Sequence, residues 1–294
     1  MRLHVAVNNV SLSSALAVVI SVIILLAGCG PRSSSTGETQ LTVNQIKKLC
    51  QPKNAGQPVR FQGIVTLVDT TSEFLAIQDG SAGIRVRTGI PPDNHLASHR
   101  VEVSGKIGSG ENVDFVEDAS IADLGEAALP DPRPLAAADL HSNRFDCLRV
   151  TIAGVFRPLR LGNAGESRFP MNAGGTQITV RVRGDQIPSA NQFEDTETSA
   201  TGVASTAVDL DGKVTAFSLL VPSLSSLQVI KPAPDPRALP VLTVRAVNAL
   251  PSVPLHRIRL RGTLRVVPNS SDLLFTDATG SLSVRSNVRT GFDV

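Results

Sequence analysis

Beyond residue 40 the chain alternates apolar and polar residues with period two, a pattern that predicts strands rather than long helices. One form returns: Val59-Arg60-Phe61-Gln62-Gly63, Val101-Glu102-Val103-Ser104-Gly105, Val150-Thr151-Ile152-Ala153-Gly154 and Ile258-Arg259-Leu260-Arg261-Gly262, with a degenerate fifth copy ending at Gly202-Val203. Each reads as a half-buried strand ending in a Gly that allows the bend or bulge a small barrel needs at a corner. Two segments then read as hairpins, each with an Asp-led turn: Leu75 to Arg87 around Asp79-Gly80, and Leu273 to Arg285 around Asp277-Ala278-Thr279-Gly280. The turn Asp is expected to cap its own loop by accepting backbone N–H groups. Asp209-Leu210-Asp211-Gly212 signals a further hairpin.

Short helical patterns precede three of the Gly-marked strands, at Leu41–Leu49, Pro134–Leu140 and Leu242–Leu250. In the first, Thr42 and Gln45 make a capping box, and Val43, Ile46 and Leu49 share one face. The second and third are each led in by Pro-Asp-Pro-Arg, at Pro130–Arg133 and Pro234–Arg237, which marks module boundaries. The expected order within a module is helix, Gly-ended strand, hairpin, second Gly-ended strand and closing strand. The closing strands fall at Ala119–Leu124 and Leu224–Ile230. The expected fold is all-β: tandem OB-like Greek-key barrels, each preceded by a short helix. Module one spans 41–129, module two 130–230, and 231–294 holds an incomplete third module lacking its last strands. That shortfall is expected of the front part of a longer architecture or of a truncated reading frame.

The first forty residues follow other rules. Arg2, an apolar run from Leu12 to Leu26, and then Leu26-Ala27-Gly28-Cys29 form an export signal of lipoprotein type over 1–29. Cys29 is the expected lipidation site; the alternative is an uncleaved spanning helix, for which the run is short. Either reading places the remainder outside the cytoplasm, tethered to a membrane, with 30–40 as a polar flexible tether. In that compartment Cys50 and Cys147 are either bonded to each other or separate thiols, and spacing leaves both open.

Chemistry is thin. His95 and His99 lie four apart but in a loop, and His99-Arg100 returns as His256-Arg257, so they read as strand lead-ins; no metal or cofactor is expected. Gly105-Lys106-Ile107-Gly108-Ser109-Gly110 lacks the closing Gly-Lys-Ser/Thr of a phosphate loop. No nucleophile elbow or triad spacing appears, so no catalytic residue is assigned and no enzyme is expected. Arg85, Arg87, Arg181 and Arg183 alternate along strands and are weak binding candidates on a basic strand face, solvated or meeting an acidic partner. With a net charge of +2, ten Phe and no Tyr or Trp, stacking platforms are scarce and nucleic acid is not expected as a partner.

The motifs Arg60–Thr66, Ile77–Val86, Leu220–Leu224 and Pro232–Pro240 together resemble the extracytoplasmic region of a family of bacterial sensor histidine kinases built on tandem OB-like repeats. The resemblance spans about Leu41 to Arg285. It implies a sensory or interaction role recognising a small ligand or partner protein. It implies no kinase activity, because these residues contain no phospho-accepting His motif and no ATP-binding module. The rival expectations are a structural spacer lipoprotein and a cell-surface oligonucleotide or oligosaccharide binder.

Overall fold

Strand β1 (Pro58–Asp69) buries alternate residues and opens a ring with β2 (Phe74–Gln78), β3 (Gly83–Val86), β4 (His99–Ile107) and β5 (Phe115–Glu126). In this computed structural model, residues 40–108, 114–158, 160–161, 166–183, 191–251, 256–267 and 272–285 are described. The ring order is β1-β2-β3-β5-β4, with β3 and β5 parallel and β1 pairing back to β4. That is the OB order. Phe61, Leu75, Ile77, Ile84, Val86, Val101 and Val103 fill its core.

The second barrel repeats the plan. β6 (Arg133–Pro134) and β8 (Arg160–Leu161) are two-residue additions. The ring itself is β7 (Arg149–Phe156), β9 (Glu166–Ala173), β10 (Thr176–Arg183), β12 (Val214–Val221) and β11 (Glu197–Val208), closed by the β11–β7 pairing. Phe156, Phe169 and Phe193 meet in its core with ring centroids 5.2–6.4 Å apart. Leu224–Ile230, expected to close the module, does not complete the ring: β12 does, Leu224–Ser226 is a 3-10 turn, and β13 (Leu227–Lys231) pairs with the start of β11.

After β13 come β14 (Val241–Leu242) and β15 (Arg259–Leu260), which pair in parallel, and a three-stranded sheet of β16 (Thr263–Val266), β17 (Asp272–Asp277) and β18 (Gly280–Arg285). β17 and β18 are the predicted hairpin.

Helix α1 (Val43–Leu49) carries the expected capping box and buries Val43 and Ile46; α2 (Val244–Asn248) is capped by Thr243. The segment expected to be helical at Pro134–Leu140 is instead a 3-10 turn, Ala137–His141. The β9–β10 turn packs closely against it: a Cβ on Gly174 would lie 2.9 Å from the Ala137 Cβ.

Gly63, Gly105, Gly154 and Gly202 lie within strands rather than at their ends, and Gly262 lies just before Thr263–Val266; the expected bend or bulge falls at Gly105, where the β4–β5 register shifts, and at Gly63, beside which β1 passes from β4 to β2. Gly63 sits halfway along β1, where a Cβ would meet Ile77 Cγ2 at 2.6 Å, and Gly154 in β7 would meet the Asn172 carbonyl at 2.5 Å. They mark close strand crossings inside the barrel.

Strands one and four of both barrels share a lead-in: one 3-10 turn, a spacer, then a residue with positive φ. Pro52–Asn54 leads to Gly56 (φ 79°), Asn94–Leu96 to Ser98 (65°), Asn143–Phe145 to Cys147 (62°) and Asn191–Phe193 to Asp195 (63°). These residues donate N–H bonds across the ring, Gly56 to Ile107 O, Ser98 to Val65 O, Cys147 to Ala204 O and Asp195 to Phe156 O, at 2.9–3.0 Å.

Candidate functional site

Period-two geometry sends Leu75, Ile77, Ile84 and Val86 into the first core and leaves Phe74, Ala76, Gln78 and Arg85 on the outer face of β2 and β3. In OB-like barrels the outer face of strands two and three commonly takes the ligand. Here the second barrel covers it. Leu67, Phe74 and Ala76 of barrel one form an apolar cluster with Cys147, Val203 and Leu220 of barrel two. Gly83 is required: a Cβ there would overlap the Cys147 carbonyl.

Two ion pairs flank this cluster. Arg85 Nη2 donates to Asp146 Oδ1 at 2.9 Å and to Ser205 Oγ at 3.2 Å, while Asp146 also accepts from Thr206 N and Oγ1 at 2.8 and 3.1 Å. Arg183 pairs with the fully buried Asp69 and donates Nη1 to Val68 O at 2.9 Å. The Arg149 N–H is received by Gln78 Oε1 at 2.9 Å. Buried Asp69 Oδ2 and Arg85 Nε have no hydrogen-bond partner.

Of the four candidate arginines, two are therefore part of the seam. Arg181 bonds Glu166 on the neighbouring strand, and Arg87 lies over the Phe115 ring, 4.8 Å from its centroid. Burial alone would raise the Glu166 pKa, but Arg181 and Arg168 bring it below the usual carboxylate value. The carboxylates and arenes meeting these arginines belong to the chain itself.

A second feature lies on the rim of barrel one. A groove of about 460 Å³ is lined by Ala97, Ser98, His99, Glu126, Ala127 and Ala128. Beside it His99 Nδ1 stands 2.9 Å from both Asp123 oxygens, His95 Nδ1 stands 2.9 Å from Asp93 Oδ2, and the two imidazoles meet edge-on at 5.9 Å. The Gly125 N–H and then His99 hold Asp123 below its ordinary pKa. Among the described residues no group of three His, Cys, Asp or Glu could hold a metal ion.

Cys50 and Cys147 are separate free thiols. Burial, then the nearby Asp114, pushes Cys50 up to about 11; burial raises Cys147 further still. Neither is a thiolate near neutrality. Cys29 and the run Leu12–Leu26 lie outside the described residues, and no described helix is long and apolar enough to cross a membrane.

The recurring turn Asp does more than cap its own loop. Asp79 Oδ1 accepts the Ser81 and Ala82 N–H groups at 2.7 and 2.9 Å, and Oδ2 accepts the Val43 N–H of α1 at 2.8 Å. Asp277 repeats this with Thr279 N, Gly280 N and the Val244 N–H of α2. The sequence reading missed both the clip to the helix and the shared lead-in. The triplets Asn94-His95-Leu96, Asn143-Arg144-Phe145 and Asn191-Gln192-Phe193 were the visible signal for the latter.

No family model and no curated protein matches the sequence. Among solved structures, a murine DNA-binding protein bound to double-stranded DNA aligns over 60% of this chain and 97% of its own, at 13% identity and TM-score 0.29. The Ifi202 HINa domain in complex with 20-bp double-stranded DNA covers 61% and 98%, at 11% identity and TM-score 0.27. A replication protein A heterotrimer bound to single-stranded DNA covers 63% and 50%, at 11% identity and TM-score 0.25. The likeness is one of fold. None of the three is described as an enzyme. All three are bound to DNA, so the expectation that set nucleic acid aside as a partner is withdrawn.

Proposed function

We propose that the chain is a membrane-tethered, extracytoplasmic binding module without catalytic activity, the input part of a signalling protein. The observation that carries the reading is architectural. Two closed barrels of the same ring order are docked through a buried seam, so the docked pair presents its remaining faces together. The rim groove beside His95 and His99 is the open concavity such a module would offer to a small polar ligand. The export signal ending at Cys29 supports the address.

A second reading, a rigid spacer, is favoured by one specific observation: the first barrel's strand-two and strand-three face is filled by the second barrel instead of standing over a cleft.

Two measurements test these readings. Palmitate labelling of the full chain should be strong and should vanish in Cys29→Ala, leaving an unprocessed precursor; labelling that persists in the variant removes the anchor. Thermal-shift screening of the full chain, with small polar ligands and with single- and double-stranded oligonucleotides as separate arms, decides what is bound. A rise in midpoint with a small ligand, abolished by Glu126→Ala, supports the sensory module. A rise with oligonucleotide alone replaces it with nucleic-acid binding, and no rise in any arm leaves the spacer.

A further inference from the structure

We propose that the seam between the barrels is a releasable latch, and that barrel two in its docked position closes the outer β2–β3 face of barrel one. Each barrel has its own complete core. The two large clusters, one around Phe61 and Ile77 and the other around Phe156 and Phe169, share no residue, and the six seam residues form a third, separate cluster. Undocking therefore takes apart neither ring. Interfaces between domains of one chain tend to part unless they are large and apolar, and this one sets two ion pairs beside six apolar residues.

Two opposed effects set its balance. Burying Leu67, Phe74, Ala76, Cys147, Val203 and Leu220 favours the docked state. Against it, the seam takes two arginines and two carboxylates out of water and leaves Asp69 Oδ2 and Arg85 Nε buried without a partner. Undocking returns these atoms to water, which satisfies them. The connection between the rings, Ala128-Leu129-Pro130-Asp131-Pro132, ends where β6 pairs with β7, is stiffened by its prolines and can act as the arm. Released, barrel one would expose Phe74, Gln78 and Arg85 on the face where this fold commonly takes ligands.

That consequence for ligand access rests on the binding-module reading above; release itself does not. A ligand screen that fails therefore leaves the following test intact.

Cys147 is the native reporter, because it lies in the seam with only 1% of its surface exposed. The full chain is treated with a maleimide, modification at Cys147 and Cys50 is followed separately by peptide mass spectrometry, and amide exchange is recorded in parallel. The latch predicts that Arg85→Ala speeds Cys147 modification tenfold or more. Exchange at Val101–Val103 and Val180–Val182, deep in the two barrels, should change by less than twofold. Arg183→Gln, which breaks the other ion pair, should act in the same direction. The latch is overturned if Cys147 modification is unchanged in both variants, or if it rises only together with core exchange, since the seam would then open only by unfolding.

Discussion

Ser98, Cys147 and Asp195 hold a left-handed backbone that a side chain disfavours by about 1–2 kcal/mol, yet each precedes a strand that anchors its ring. At the fourth such position stands Gly56, where no strain arises. The strained side chains have separate uses. Cys147 fills the seam, and Asp195 accepts the Arg257 N and Nε at 3.0 and 3.1 Å. Ser98 only lines the groove. Ser98→Gly should therefore raise stability by about 0.5–1 kcal/mol, the relieved strain being partly offset by the freer unfolded chain; denaturant unfolding checks it, and a loss of stability would show that the hydroxyl matters. At this scale the sequence was only partly legible. Alternation placed Arg85 and Arg183 correctly on outward positions, but an outward residue reads the same whether it meets water or another barrel.

Each helix is held to the hairpin of its own unit by one aspartate. Asp79 joins α1 to the β2–β3 turn, and Asp277 joins α2 to the β17–β18 turn, with Val43 and Val244 donating at 2.8 Å in each case. Asp79→Ala leaves three N–H groups without their acceptor and should cost about 1–2 kcal/mol, as loss of a helix cap does. Burial works to raise the Asp79 pKa, but the bonds from Ser81, Val43 and Ala82 bring it below 3.8. With the folded value depressed, the stabilisation is complete above the unfolded value and is lost as pH falls through the folded one. The gap between wild type and Asp79→Ala in urea should thus be constant from neutrality to about pH 5 and narrow below about 4; a gap that widened in acid would reverse the assignment. Hairpins, capping box and helix positions were all readable because local pattern decides them. The 3-10 turn at Ala137–His141 was not, since so short an apolar pattern suits either form of helix. Nor was the mid-strand place of Gly63 and Gly154, which depends on which strand crosses there.

Repetition made the whole molecule legible as tandem barrels, but not the way successive units meet. In barrel one, Glu126 pairs with His99, and the next residue, Ala127, donates its N–H to Ser98 O at 2.8 Å. In barrel two, Lys231 pairs with Glu197, two residues past Asp195 rather than one, so the next residue does not stand opposite the Asp195 carbonyl. The Asp195 carbonyl is instead 3.2 Å from His256 Nδ1, beside the bonds from Arg257. The segment that leads to β15 thus takes up the Asp195 carbonyl. The seam between the barrels depends on one small residue, and two glycines separate docking from folding. Gly63→Ala puts a Cβ 2.6 Å from Ile77 Cγ2 inside barrel one, so it should overpack the core by about 1–3 kcal/mol and speed exchange throughout that barrel. Gly83→Ala puts its Cβ against the Cys147 carbonyl, outside either core. It should leave the exchange of Val101–Val103 and Val180–Val182 near wild type while exposing Cys147 to maleimide and freeing the Arg149 N–H from Gln78. If Gly83→Ala instead speeds exchange throughout barrel one, as Gly63→Ala should, Gly83 serves the ring itself and the two barrels form one cooperative unit.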